Sequence, residues 1–335
     1  MSQRVPQTSL IFHDSAAIIS SLQPIEHGPL AGNLVSGSFR TSVSIWDVIG
    51  SKKLLTKFQC NEKAEKNSTV LWTHSSTRQP DELIVQTREG ILHRWKLSQS
   101  AANFLCMTST GSQLSFCPAV ALEEPNLLCV PSGEVAAQTS GVGLISHHDF
   151  SPVGLLLPDE STAKLGSPTR MVQVAAHQLL VAYENADLFL WDVRSPSRPV
   201  LTSEVIKSSR DPEKEDDVTP LALDFDVERG IAVVGNASGV VKRFKLGPAE
   251  MTALDMLTLP DSGVAAVRVR PDGKILTVAC WDFTARVFSW KNLKPLAVLD
   301  LHKETVQCVE YMEMGGDNCV VLGGKDAMIS IWPLY

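Results

Sequence analysis

Short runs of β-branched or apolar residues recur along the chain, each followed by a small polar turn and a second short run that ends in an aromatic. Amphipathic stretches with a 3.6-residue period are hard to find, so the pattern predicts strands and not helices. Each pair of runs reads as a β-hairpin. The copies run from Leu34-Val35-Ser36-Gly37 to Val43-Ser44-Ile45-Trp46-Asp47, from Leu83-Ile84-Val85 to Ile91-Leu92-His93-Arg94-Trp95, and from Leu179-Leu180-Val181 to Leu188-Phe189-Leu190-Trp191-Asp192. Three more follow: Ile231-Ala232-Val233-Val234 to Val240-Val241-Lys242-Arg243-Phe244, Ile275-Leu276-Thr277-Val278 to Arg286-Val287-Phe288, and Val320-Val321-Leu322 to Ile329-Ser330-Ile331-Trp332.

The closing aromatics stand at 46, 95, 191, 244, 288 and 332, with gaps of 49, 96, 53, 44 and 44. The gap of 96 is two repeats, and a worn copy fits inside it, with Leu127-Leu128-Cys129-Val130 and Val142-Gly143-Leu144-Ile145 as its strands and no aromatic. Seven units result. A period in the mid-forties with four short strands per unit is that of propeller blades. The expectation is an all-β, seven-bladed β-propeller that occupies residues 1–335 as one domain. The last repeat runs out of chain before an outer strand. Ser9-Leu10-Ile11-Phe12, ahead of a first inner strand at Ala16-Ala17-Ile18-Ile19, is expected to pair there and remove an exposed sheet edge.

Over nearly its whole length the chain resembles the WD-repeat family. Trp46-Asp47 and Trp191-Asp192 keep the family's dipeptide, whereas Trp281-Asp282 falls in a turn seven residues before Phe288, which takes the structural place. The resemblance makes Trp46, Asp47, Trp95, Trp191, Asp192, Phe244, Phe288 and Trp332 structural. His302, Asp326 and Trp332 match a buried polar network of the family, with Leu322 standing where its serine would be, so the network is expected to be incomplete. Segments such as Arg268-Val269-Arg270-Pro271-Asp272-Gly273, Lys294-Pro295-Leu296-Ala297, Ala163-Lys164-Leu165-Gly166 and Ile331-Trp332-Pro333-Leu334-Tyr335 resemble one subfamily. It comprises the guanine nucleotide-binding protein β-subunit-like and ASTRA-associated propellers. That resemblance implies an adaptor working with the Tel-two-interacting co-chaperone complex on phosphatidylinositol 3-kinase-related kinases. It implies no G-protein γ partner, since no heptads precede the first strand.

Composition adds few constraints. The 335 residues are 44% hydrophobic and 20% charged with net charge −7 and a pI near 5.6, which suits a soluble globular protein and disfavours nucleic acid or an anionic membrane as partner. Seven cysteines, none in a CxxC spacing, read as core thiols in a reducing compartment. With no secretory h-region and no apolar run of roughly 20 residues, the expected location is cytoplasmic and nuclear. The acceptor patterns at Asn67 and Asn236 are then unused. Gly323-Gly324-Lys325-Asp326 reads as a blade turn, not a phosphate loop, and His147-His148 as a polar strand or loop face without a third metal ligand. No catalytic, cofactor or metal residue is assigned. Two loops, 158–170 and 207–217, interrupt the spacing.

Protein binding is expected on the turns between second and third strands, with Trp281 as anchor and Phe39, Arg40, Arg88 and Lys325 around it, since Trp and Arg are enriched among binding hot spots. A second reading comes from Trp191-Asp192-Val193-Arg194, which fits the WDxR signature of substrate receptors on cullin-type ubiquitin ligases.

Overall fold

The computed structural model describes residues 7–14, 18–60, 68–98, 102–109, 114–134, 139–158, 165–203, 219–260 and 262–334. Ala16, Ala17, Asn67, Ala163, Lys164, Tyr335 and the charge run 207–217 lie outside them. Every regular element among the described residues is a strand. Strand β1 is Leu10–His13. Blade one follows as β2 (Ile19–Pro24), β3 (Leu34–Ser38), β4 (Ser42–Asp47) and β5 (Lys53–Gln59), and blade two as β6 (Val70–His74), β7 (Glu82–Thr87), β8 (Ile91–Leu97) and β9 (Ala102–Ser109). Blade three is β10 (Val120–Leu122), β11 (Leu127–Glu134), β12 (Thr139–Ser146) and β13 (Pro152–Leu156). Blade four is β14 (Pro168–Ala175), β15 (Gln178–Tyr183), β16 (Leu188–Asp192) and β17 (Leu201–Ser203). Blade five is β18 (Pro220–Asp226), β19 (Ile231–Asn236), β20 (Val240–Leu246) and β21 (Met251–Thr258). Blade six is β22 (Val264–Val269), β23 (Ile275–Cys280), β24 (Ala285–Ser289) and β25 (Pro295–Leu299), and blade seven begins with β26 (Val306–Met314), β27 (Asp317–Gly324) and β28 (Met328–Pro333).

These strands make seven four-stranded sheets, six of them simple meanders, and the chain is a seven-bladed β-propeller. The worn repeat is blade three. The seventh sheet has the order β1-β28-β27-β26, so the strand near the start of the chain completes the blade built by its end, as the pattern predicts. Leu10 faces Ile331 and His13 faces Met328, with Ser9 N–H donating to the Ile331 carbonyl at 2.9 Å and Asp14 N–H to that of Ala327 at 2.9 Å. Without β1 the N–H and C=O groups along one edge of β28 would stand unpaired.

The strands gather into two compact groups, one holding blades one, two and seven with most of blade six, the other blades three to five. Within each group the apolar layers lie between consecutive blades. Trp46, Leu34 and Val48 of blade one pack with Phe12, Met312, Cys319, Ile329 and Ile331 of blade seven, and Trp95 packs with Val35, Val43 and Ile45 of blade one. In the other group Trp191 packs against Leu122, Cys129, Val142 and Leu144, and Phe244 against Leu180, Ala182 and Leu190. Each of these four closing aromatics therefore joins its own blade to the preceding one. A large apolar side chain moved from water into such a layer contributes about 1.5 to 3 kcal/mol.

Two boundaries and one core residue differ from expectation. Pro168, Thr169 and Arg170 belong to β14, because their backbones pair with β15, so the 158–170 loop is shorter than the spacing suggests. Gly323 and Gly324 pair with β28 or β26 and lie within β27, leaving Lys325, Asp326 and Ala327 as the turn. Trp290, given no core role by the repeat, is only 1% exposed. It lies beyond the closing position, where its backbone N–H bonds to Lys274.

Candidate functional site

A buried chain of hydrogen bonds holds blade seven together. His302, just ahead of β26, sets Nδ1 3.0 Å from Asp326 Oδ1 and Nε2 2.9 Å from Ser330 Oγ, and Trp332 Nε1–H donates to the same Oγ at 2.9 Å. Asp326 also accepts the backbone N–H groups of Lys303 and Met328, at 2.9 and 3.2 Å. With the ring proton on Nδ1 every member is satisfied: Trp332 to Ser330, Ser330 to His302, His302 to Asp326. The network is thus complete, contrary to the expectation from Leu322. Leu322 pairs directly across from Ser330, and Ser330, two residues before Trp332 on the same face of β28, supplies the hydroxyl. Gly324 is required beside it, because a Cβ there would sit 2.5 Å from His302 Nδ1.

Ser330, His302 and Asp326 have the composition of a hydrolytic triad, yet Ser330 is wholly buried and its oxygen already accepts from Trp332. A nucleophile needs a substrate carbonyl beside it, and none can approach here. The three residues act in packing.

Other blades treat the same position differently. In blade one Trp46 Nε1–H donates to Ser36 Oγ at 2.8 Å, and Ser44, equivalent to Ser330, donates to the buried carboxylate of Asp14 at 3.0 Å. Asp14 also pairs with Lys57 of β5. Blade one therefore keeps a polar network of its own, with Asp14 as acceptor. In blade four Phe189 stands where Ser330 does and Tyr183 where Gly324 does. Their rings lie 5.1 Å apart, Phe189 lies 6.3 Å from Trp191, and Trp191 Nε1 makes no well-formed hydrogen bond among the described residues.

The two aspartates of the dipeptide close turns. Asp47 accepts N–H groups from Ile49, Gly50 and Ser51 and the Ser51 hydroxyl, and these bonds, led by the Ser51 amide, hold its carboxyl down at about 2. Asp192 binds Arg194 of its own turn through Nε at 2.9 Å and through a second guanidinium nitrogen at 2.6 Å, which lowers its pKa. The arginine of the WDxR tetrapeptide is thus engaged within the chain, which removes the feature that favoured a ligase receptor.

Trp281, Phe39, Arg40, Arg88 and Lys325 all lie on the turns between second and third strands of blades six, one, two and seven. The turns share a geometry. The N–H groups of Phe39, Arg88 and Lys325 donate to Ile18, Thr69 and Thr305, each just ahead of its own blade's inner strand, at 3.0, 2.9 and 2.9 Å. Neighbouring turns are linked as well: Arg40 N–H bonds to Ser68 at the entry to blade two, and Thr305 Oγ1 bonds to the Trp281 carbonyl at 3.4 Å. Arg40 and Lys325 are exposed, Phe39 and Arg88 half-buried, and Trp281 is 43% exposed beside Phe283 at 47%. Sequence reading missed Phe283. Its backbone has φ +70°, a conformation that a bulky residue rarely adopts and that Gly90 and Gly239 take in blades two and five.

Burial holds most of the thiols protonated. Burial pushes Cys60, Cys117 and Cys129 up to about 12 and Cys280 and Cys319 to about 11, so thiolate is scarce at neutral pH. Cys106, on the outer strand β9, and Cys308, on β26, are half-buried and so depart from the expected core placement. His147 is buried in the turn after β12, where its N–H bonds to Asn126, and no group of three or more His, Cys, Asp or Glu suited to a metal occurs among the described residues.

The family described as WD domain, G-beta repeat matches residues 254–289, which hold the last strand of blade five and the first three of blade six. The chain is thus a seven-bladed β-propeller that carries a WD-repeat match at blades five and six and resembles the WD-repeat class. Within that class it resembles one group over its full length. It is 28% identical over 98% of the chain to the Mus musculus protein named guanine nucleotide-binding protein subunit beta-like protein 1, covering 97% of that protein. It is 24% identical to ASTRA-associated protein 1 of Schizosaccharomyces japonicus, across 99% of this chain and all of that one. Identity to ASTRA-associated protein 1 of Schizosaccharomyces pombe is 41% over 73 residues, 22% of this chain and 19% of the relative. No catalytic family is indicated, and these matches support a scaffold or adaptor role.

Proposed function

We propose that the chain is a non-catalytic, cytoplasmic and nuclear adaptor that binds a Tel-two-interacting co-chaperone complex and assists maturation of phosphatidylinositol 3-kinase-related kinases. The single observation that carries this reading is similarity along the whole chain to proteins named ASTRA-associated. The exposed turns of blades six, seven, one and two form its partner face, with Trp281 at the centre and Phe39, Arg40, Arg88 and Lys325 around it. Trp281 is 43% exposed, whereas Trp46, Trp191 and Trp332 are all at most 5% exposed. The test is affinity purification of the full chain from cells followed by mass spectrometry. Recovery of the co-chaperone subunits, lost in a Trp281→Ala, Arg88→Ala variant that still folds, is the expected result. Recovery of cullin-ligase subunits instead, or undiminished capture by the double variant, overturns it.

A further inference from the structure

Asp14 takes part in two blades at once. It directly follows β1, and its backbone N–H donates to the Ala327 carbonyl in the turn of blade seven at 2.9 Å. Its carboxylate lies in blade one, where Oδ2 accepts from Ser44 Oγ at 3.0 Å and Oδ1 pairs with Lys57 Nζ. Ser44 and Lys57 stand directly opposite each other on β4 and β5, so both reach the carboxylate from one face of that sheet. Asp14 is 4% exposed and Ser44 1%, while the Lys57 side chain is 32% exposed.

The place of Asp14 corresponds to that of His302. Each stands between the outer strand of one blade and the inner strand of the next, His302 between β25 and β26 and Asp14 between β1 and β2, and each bonds the equivalent serine, Ser330 or Ser44. They differ in charge. His302 passes its second bond to Asp326 of its own blade, whereas Asp14 is a buried carboxylate whose balancing cation comes from β5, at the outer edge of blade one. A buried charge that loses its partner is far more costly than one that never had to be balanced. If β1 peels from β28 and draws Asp14 away, the buried Ser44 hydroxyl loses its acceptor and Lys57 its counter-charge. Detachment of the strand is then a loss for blade one as well as for blade seven.

We infer that Asp14 is a latch through which the closing strand of blade seven and the sheet of blade one open as a single cooperative unit, with Lys57 as the group that holds it shut. Terminal strands ordinarily fray by themselves. Here the latch gives β1 the protection of blade one. The device is independent of the adaptor reading and of the face on which a partner binds.

The experiment is amide hydrogen exchange on the full chain, comparing the amides of β1 with those of β4 and β5. In the parent the two sets should be protected to a similar degree. Lys57→Met leaves the buried carboxylate unbalanced and should speed exchange in both sets by at least about tenfold. The Asp14→Asn, Lys57→Met double variant removes both charges while an amide oxygen still accepts from Ser44, and it should recover most of the lost protection. Ser44→Ala, a milder change that serves if Lys57→Met fails to fold, should raise exchange in the two sets by a smaller but matched factor. A β1 already unprotected in the parent, a rise confined to β4 and β5 in either single variant, or a double variant no better protected than Lys57→Met would each overturn the proposal.

Discussion

Blade seven is assembled from both ends of the chain, and its tryptophan, Trp332, is held by a hydrogen-bonded serine, histidine and aspartate. Blade four is contiguous in sequence, and its tryptophan, Trp191, lies in a stack with Phe189 and Tyr183 whose polar tips lack well-formed partners. Both indoles are buried to nearly the same degree. The repeat therefore constrains where the ring sits and how much water it loses, while leaving open whether hydrogen bonds or aromatic contacts fix its orientation. That freedom explains how blades diverge and still tile.

Removing residues 1–12 should break the comparison most severely. Blade seven would lose β1, expose the edge of β28 and lose Phe12, whose ring lies 4.9 Å from that of Trp46. Loss of one such buried aromatic alone costs about 3 to 5 kcal/mol, so the truncated chain should melt well below the parent or aggregate, and an unchanged melting temperature and solubility would show that blade seven closes by other means. Blade four offers no equivalent cut.

Trp332→Ala and Trp191→Ala come next, each expected to cost about 3 to 5 kcal/mol in urea unfolding. Trp281→Ala should leave stability nearly unchanged. If Trp281→Ala unfolds the chain while Trp332→Ala does not, strand and turn are exchanged in these blades.

Smaller substitutions separate the two blades by sign. Ser330→Ala strands His302 Nε2 and Trp332 Nε1 in the interior and should cost about 2 to 4 kcal/mol. Tyr183→Phe removes a buried hydroxyl without a well-formed partner and should leave stability equal or higher. Destabilisation by Tyr183→Phe as large as that by Ser330→Ala would mean that the blade-four hydroxyl has a strong bond.

The smallest expected effect is acid-dependent and belongs to blade four alone, because Asp192 follows Trp191 where Pro333 follows Trp332. The Arg194 bond lowers the folded pKa of Asp192. Its stabilisation is therefore fully present above the unfolded value near 3.8 and is lost as pH falls through the lower folded value. Melting temperatures of Asp192→Asn and parent should differ slightly at neutral pH and converge as pH drops below about 4. A difference that stays constant with pH would remove the ion pair as its cause. Because Arg194 is largely exposed, the whole effect should be small.

Strands, blade number and the closing role of β1 were legible because they follow from apolar alternation and from the spacing of aromatics, which are properties of consecutive residues. The polar network was legible only in part. His302, Asp326 and Trp332 stand out as residue types, but Ser330 was passed over because the serine was sought on the second strand and the hydroxyl comes from the third. Asp14 was hidden for a similar reason: its partners Ser44 and Lys57 lie 30 and 43 residues away. Among the exposed turns Trp281 was visible as a misplaced tryptophan, whereas Phe283 stands out only by its backbone angle.

The pairing of Ser9 with Ile331 joins residues 322 positions apart. During synthesis at about 5 to 20 residues per second, β1 leaves the ribosome and then waits for roughly a quarter of a minute to a minute before β28 exists to receive it. Throughout that interval Leu10, Ile11 and Phe12 are an unclaimed apolar strand on a nascent chain, and β26 to β28, once made, present an open edge until it arrives. In a chain closed in this way the meeting of the two strands comes last, and the rate at which they meet sets the shortest time in which the ring can be completed.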